Sequence, residues 1–169
     1  SFIVSSIRRR NLLRQLERMS YRDQLTQFGN RYAVDWFVEH EWNGEQIGVV
    51  YCDITGLKKV NDEQGHEAGD RLIIRACECL AGVFKGYGLY RIGGDEFLVL
   101  CLGIEEKDLR EHVEKLRMDM KEHQVTMAVG MIWKEHGPKD IDLLLNESER
   151  LMYEDKDRYY KEHGLKRRR

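Results

Sequence analysis

The chain has a single proline and no apolar run long enough to cross a bilayer, and its 28 basic residues nearly balance its 30 acidic ones. Each shortage removes a class of protein. With 41% hydrophobic residues and one proline, the chain is globular rather than disordered. A formal net charge of −2 gives no strong electrostatic preference for nucleic acid or an anionic membrane, so neither is an expected partner. The four cysteines (Cys52, Cys77, Cys79 and Cys101) lie in apolar or helical runs without metal-ligand spacing, and are expected to be reduced thiols of a cytoplasmic protein. The start, SFIVSSIRRR, is apolar and then basic, like the cytoplasmic edge of a membrane anchor. Its run of about four apolar residues falls far short of the roughly twenty that a bilayer requires. The basic tail Lys166 to Arg169 is expected to be solvated terminal charge.

What is present fits one domain with a sizeable core. Ile3, Ile7, Leu12, Leu13, Leu16 and Met19 recur at helical steps among Arg, Gln and Glu, which predicts an amphipathic helix over residues 1–20. A helix over 31–40, a strand over 47–54, a turn-rich loop and a helix over 69–84 follow. Hairpin strands are expected at 87–92 and 95–102, then a helix over 106–121, a strand over 124–133 and a helix over 140–161. Mixed helices over one sheet, an α/β (α+β) fold, is the expected outcome.

The segment RIGGDEFLVL, Arg91 to Leu100, carries the most chemistry. Gly93 and Gly94 sit between two strand-like runs, a two-residue turn signal because glycine reaches positive φ freely. They also allow a ligand to approach backbone. Asp95 and Glu96 follow at once, so the hairpin tip bears two carboxylates. A solvated hairpin with a charged tip is the other reading of the same residues.

A second carboxylate, Asp53, ends the strand IGVVYCDI, which is short, apolar and rich in β-branched residues, as a buried central strand is. The segment after it, TGLKKVNDEQGHEAGD, holds Gly56, Gly65 and Gly69 with Lys58, Asn61, Asp62 and Asp70. Such a stretch offers backbone N–H groups and a lysine to phosphate. If their strands are neighbours, Asp53 meets Asp95 or Glu96, and an all-oxygen set of that kind suits Mg²⁺. Taken alone, Asp53 fits a helix N-cap as well as a metal ligand.

Together, DITGLKKVNDEQGHEAGD and RIGGDEF resemble the GGDEF family of diguanylate cyclases, whose name is the motif at Gly93 to Phe97. DQLTQFGNR (Asp23 to Arg31) is similar to the family's entry motif, with Gln27 and Phe28 where glycine and leucine are usual. VTMAVGM (Val125 to Met131) resembles its late strand and LMYEDK (Leu151 to Lys156) its closing helix. The resemblance covers roughly residues 21 to 160, in order, with family-like spacing. It implies a domain over 21–169 with a mostly antiparallel sheet flanked by helices, similar to the palm-like nucleotidyl cyclase and polymerase fold. Residues 1–20 would be the remnant of a signalling linker helix that pairs in a coiled coil below an upstream sensor domain.

The resemblance further implies that two GTP molecules are condensed to cyclic di-GMP at a homodimer interface, with Mg²⁺ or Mn²⁺. Asp53, through its side chain, and Ile54, through its carbonyl, would bind metal. Asp95 would bind metal and activate the 3′-hydroxyl, and Glu96 would assist. Asn61 and Asp70 match the guanine-reading pair, and Lys58 and Lys156 match lysines that contact phosphates. The amides around Gly56 and Leu57 match the phosphate-wrapping backbone, and Gly93 and Gly94 would let backbone approach the nucleotide. Guanine's N1–H and N2–H₂ are donors that a carboxylate accepts, whereas adenine would leave that carboxylate unpaired.

Three departures stand out. Thr55 replaces a second acidic or amide residue, and Tyr160 stands where a basic residue is common, with Arg158 or Lys161 nearby as substitutes. Phe84 and Tyr87 occupy the positions of an Arg-x-x-Asp product-inhibition site, which implies that this site is missing. The alternative to an active cyclase is a degenerate module that binds GTP or a partner protein without turnover. The intact Asp53, Asn61, Asp70 and GGDEF set argues against it.

Overall fold

The computed structural model describes residues 2–166. Ser1 and Arg167 to Arg169 lie outside them, so the ends of both expected segments and most of the basic tail are not described; the same holds for the Met19 side chain. In chain order the elements are α1 Phe2–Tyr21, α2 Arg31–His40, β1 Ile47–Ile54, α3 Leu57–Gln64, α4 His66–Val83, β2 Gly88–Arg91, β3 Glu96–Leu102, α5 Glu106–Glu122, β4 Met127–Lys134 and α6 Asp142–Glu162. The four strands form one sheet in the order β2-β3-β1-β4, every neighbouring pair antiparallel.

Strand alternation sends successive side chains of β1 to opposite faces. Val50, Cys52 and Ile54 join Phe97, Val99 and Cys101 under α4 and α5, which contribute Leu72, Leu80, Leu109 and Leu116. Val49 and Tyr51 join Leu98 and Leu100 under α2 and α6, which contribute Val34, Phe37, Leu144 and Met152. Covered on both faces, all eight residues of β1 are buried. Each fully buried leucine or phenylalanine contributes about 1.5 to 3 kcal/mol of transfer free energy.

Two glycines set how closely the helices approach. A Cβ on Gly48 would lie 2.8 Å from a Leu109 methyl, so its absence lets α5 settle on β1. A Cβ on Gly130 would overlap the Ser148 carbonyl oxygen and the Met152 nitrogen, so α6 lies with its backbone against β4.

Two expectations need correction. The stretch after β1, expected as a turn-rich loop, is the helix α3, bounded by Gly56 and Gly65, which sit at φ 82° and 88°. Leu57 and Val60, three residues apart, lay one side of it on the core, and its lysines face solvent. Neither Gly93 nor Gly94 is among the positive-φ glycines. The hairpin closes through Ile92 N–H to the Glu96 carbonyl at 3.0 Å, leaving Gly93 to Asp95 as the tip rather than a two-residue turn. Small size rather than handedness explains Gly93, where a Cβ would press on Glu96 Oε2 at 3.0 Å. Left-handed backbone appears instead at Gln27, φ 62°, where the family usually has glycine.

The helix α1 forms as expected, but its apolar stripe stands in solvent: Ile3 is 70% exposed, Leu12 56% and Leu16 52%. No helix of the described residues is long and apolar enough to cross a membrane.

Candidate functional site

Register brings the expected carboxylates together. Asp53 pairs directly with Glu96 across β1 and β3, so both side chains leave the same face at the end of the sheet. Ile54 N–H donates to the Asp95 carbonyl at 2.8 Å, which pulls the hairpin tip against the end of β1. Carboxylate oxygens of Asp53, Asp95 and Glu96 all lie within 4.8 Å of one another. The N–H and C=O of a strand residue point to the same edge, so the Ile54 carbonyl also faces the Asp95 side. Asp53 therefore belongs to the strand and caps no helix; the N-cap of α3 is Gly56.

From α6, Lys156 Nζ reaches Asp53 Oδ1 at 3.2 Å, with the two side chains only 16% and 5% exposed. Lys156 lies four residues, about one turn, beyond Met152, which packs in the core beneath, so the close seat at Gly130 carries the lysine into the cluster. One lysine among three carboxylates leaves net negative charge. Oxygen donors of that number and spacing suit a hard divalent cation such as Mg²⁺ or Mn²⁺.

Glu96 has further company. The Tyr51 hydroxyl donates to Glu96 Oε2 at 3.3 Å. Burial, then hydrogen bonding to Glu149 and the negative charges of Glu96 and Glu149, raise the Tyr51 pKa, so the hydroxyl stays protonated and donates. Burial also raises the Glu96 pKa, reinforced by Asp53, Asp95 and Glu149 and opposed by the Tyr51 hydrogen bond. A cavity of about 300 Å³ lined by Tyr51, Leu98, Asn146 and Glu149 lies behind this pair.

Arg91 holds the tip from the other side. Its Nη1 meets both Asp23 carboxylate oxygens at 3.2 Å, while Nε and Nη2 donate to the Gly94 carbonyl at 3.2 and 2.8 Å. Burial opposes ionisation of Asp23, but hydrogen bonds from the Thr26 side chain and backbone and the Arg91 charge outweigh it, so its pKa is lowered. A third clamp is Asp155, which accepts from Val129 N–H at 2.8 Å on β4 and pairs with Arg117 of α5 and Arg158. Arg158, expected as a substitute phosphate contact, pairs with Asp155 through a side chain that is 68% exposed, and Lys161 is exposed as well.

The expected base-reading residues lie on the other side of the β1 terminus. Asn61 on α3 packs against Gly69 on α4, directly before Asp70. Asp70 and Lys58 are exposed, Leu57 opens α3, and Gly56 is its N-cap. Phe84 and Tyr87 pack around His112, at ring distances of 5.6 and 6.2 Å, with Phe84 wholly buried.

Sequence reasoning missed Arg91, Tyr51, Glu149 and Asp155 as supports of the site. Only Glu149 left a usable signal: with Tyr153 and Lys156 it forms an i, i+4, i+7 stripe on α6.

The chain is similar to known proteins. An uncharacterized protein in the hutH 5′ region of Streptomyces griseus is 36% identical over 60% of this chain and 45% of its own length. The bifunctional diguanylate cyclase/cyclic di-GMP phosphodiesterase MucR of Pseudomonas aeruginosa is 29% identical over 93% of this chain and 25% of its length. The chain thus spans less than half the length of these relatives. Among solved structures, the coiled coil and GGDEF domain of DgcB from Caulobacter crescentus, in complex with c-di-GMP, superposes with a TM-score of 0.78 over 96% of this chain and 92% of that one. At 21% identity, that likeness establishes the fold. Residues 20–161 match the family described as diguanylate cyclase, GGDEF domain, and with that span covering the sheet, the carboxylates and Lys156, the chain belongs to the GGDEF family.

Proposed function

We propose that this chain is a catalytically competent diguanylate cyclase domain that condenses two GTP into cyclic di-GMP and two pyrophosphates. The observation that carries the proposal is the cluster of Asp53, Asp95 and Glu96, fixed by strand register and faced by Lys156. Asp53, Asp95, Glu96 and the Ile54 carbonyl would hold Mg²⁺ or Mn²⁺, which when bound supplies Lewis-acid stabilisation of the attacking and leaving oxygens. The 3′-oxygen of each GTP bonds to the α-phosphorus of the other, the bond to the bridging oxygen breaks, and pyrophosphate leaves. Asp95 accepts the 3′-hydroxyl proton on a carboxylate oxygen, and Glu96 shares the cation. Lys58, Lys156 and the amides at Gly56 and Leu57 hold phosphates, Gly93 and Gly94 keep the hairpin tip clear of side chains, and Asn61 with Asp70 reads guanine.

One domain presents one such half-site, so turnover needs two copies. The exposed Ile3, Ile7, Leu12, Leu13 and Leu16 of α1 give a paired helix its seam, and an upstream sensor domain would set that pairing. The packing of Phe84 and Tyr87 around His112 supports a domain without product binding at those positions. The absence of a membrane-spanning helix from the described residues fits a cytoplasmic output domain, whether or not the whole protein is anchored.

The test is incubation with GTP and Mg²⁺ at high and low protein concentration, followed by chromatography, beside Asp95→Ala. The expected result is cyclic di-GMP from the parent, a rate second order in protein, and at least about a hundredfold loss in the variant. GTP binding without product at any concentration would replace this reading with that of a non-catalytic GTP-binding module.

A further inference from the structure

Resting on the guanine-reading role proposed for Asn61, we infer that Gly69 is a specificity-determining positioning residue, whose missing side chain is the seat of the Asn61 amide. Gly69 is buried in the first turn of α4, the face that α3 packs upon. A Cβ built there would overlap Asn61 Oδ1 and stand 2.8 Å from its Cγ. The three nearest heavy atoms all belong to the Asn61 side chain.

Helix chemistry does not call for glycine here. Gly69 lies outside the positive-φ set, and glycine weakens a helix interior relative to alanine. The two neighbouring glycines differ, since Gly56 and Gly65 hold left-handed φ at the ends of α3 and a Cβ on either would meet nothing within 4 Å. Gly69 is therefore used for space, and the group that fills the space is the one expected to read the base. Because Gly69 directly precedes Asp70, the contact that seats Asn61 also brings it to the Asp70 turn.

A methyl at position 69 has a mild way out. The Asn61 side chain rotates away about χ1 while the backbone stays, so the fold survives and the reader is lost. Gly69 touches no part of the expected nucleotide directly and acts through Asn61.

The experiment compares the parent with Gly69→Ala, Asn61→Ala and the double variant. The Asn61 side-chain amide is followed by NMR without ligand, and binding of GTP and of the inosine nucleotide ITP, which lacks the 2-amino group, by calorimetry. We expect Gly69→Ala to melt no lower than the parent, to shift the Asn61 amide resonances, and to bind GTP at least tenfold more weakly. Its preference for GTP over ITP should shrink, and the double variant should bind as Asn61→Ala does. A change acting merely on helix stability would leave the nucleotide preference unmoved. Unshifted Asn61 resonances overturn the inference whatever binds. A double variant weaker than Asn61→Ala by the full factor of Gly69→Ala also overturns it, because Gly69 would then act independently. If the parent itself binds no GTP, the guanine-reading role falls, while a shifted Asn61 resonance in Gly69→Ala marks the packing as a separate fact.

Discussion

The two ends of the candidate site are built differently. At the carboxylate end, Asp53, Asp95 and Glu96 hang from adjacent strand termini, and the ladder that pairs Asp53 with Glu96 fixes their spacing before any side chain chooses a rotamer. At the base end, Asn61 and Asp70 come from two helices, and the Asn61 amide is seated by its contact at Gly69. A ladder is held by many backbone hydrogen bonds, while a helix–helix contact is held by the shape of a few residues. The first end tolerates change away from its ligands, and the second is sensitive to a single added methyl.

The most sensitive position at the carboxylate end is Gly130. An added Cβ there meets backbone atoms of α6, which cannot yield as a side-chain tip can. Gly130→Ala is expected to destabilise the fold by ~3 kcal/mol, in the upper part of the overpacking range. It should also draw Lys156 away from Asp53, lowering turnover while the GTP-over-ATP preference of the remaining activity stays unchanged. Denaturant unfolding and competition assays check both parts. Altered base preference would mean that the two ends are mechanically coupled.

Asp70→Ser acts at the base end alone. Asp70 is exposed without ligand; where a bound base covers it, an unmatched polar group costs about 1 to 3 kcal/mol, so GTP preference over ATP should fall roughly tenfold to a hundredfold. Divalent-cation affinity, read by calorimetry, should not move. Unchanged nucleotide preference would remove Asp70 from base reading.

The smallest effect concerns Asp23, which secures the hairpin tip through Arg91. Its folded pKa lies below its ordinary value of 3.8, so the ionised form is favoured by folding. The stability it contributes is present above that value and is lost as pH falls through the folded value. Acid melts of the parent and Asp23→Asn should differ by about 1 kcal/mol at neutral pH and converge as pH falls through the folded value of Asp23. Curves that stay parallel would show that the Asp23 charge adds nothing to the tip.

Legibility in the sequence followed the range of the interactions. The strand Ile47–Ile54 and the helix Arg31–His40 have the bounds that periodicity predicts, because apolar run length and local pattern decide them. The helix α3 was hidden by its lysines and flanking glycines, since only the placement of Leu57 and Val60 on the core makes it a packed helix. Arg91 gains its role only where the fold brings Asp23 beside it. Asp155 gains its role only where β4 presents Val129 N–H to it.

Which residue types were available for the chemistry, and where along the chain they stood, can be read without the fold. Carboxylates followed strand-forming runs, an asparagine and an aspartate shared one glycine-rich stretch, and a lysine closed the last helix. Those choices are local, because strand period, glycine placement and charge are properties of short segments. Only the tertiary structure decided that Asp53 faces Glu96, that Lys156 reaches Asp53, and that an absent side chain at position 69 seats Asn61. Each of these depends on register and on the distance between packed elements, which are set when two buried faces close on one sheet.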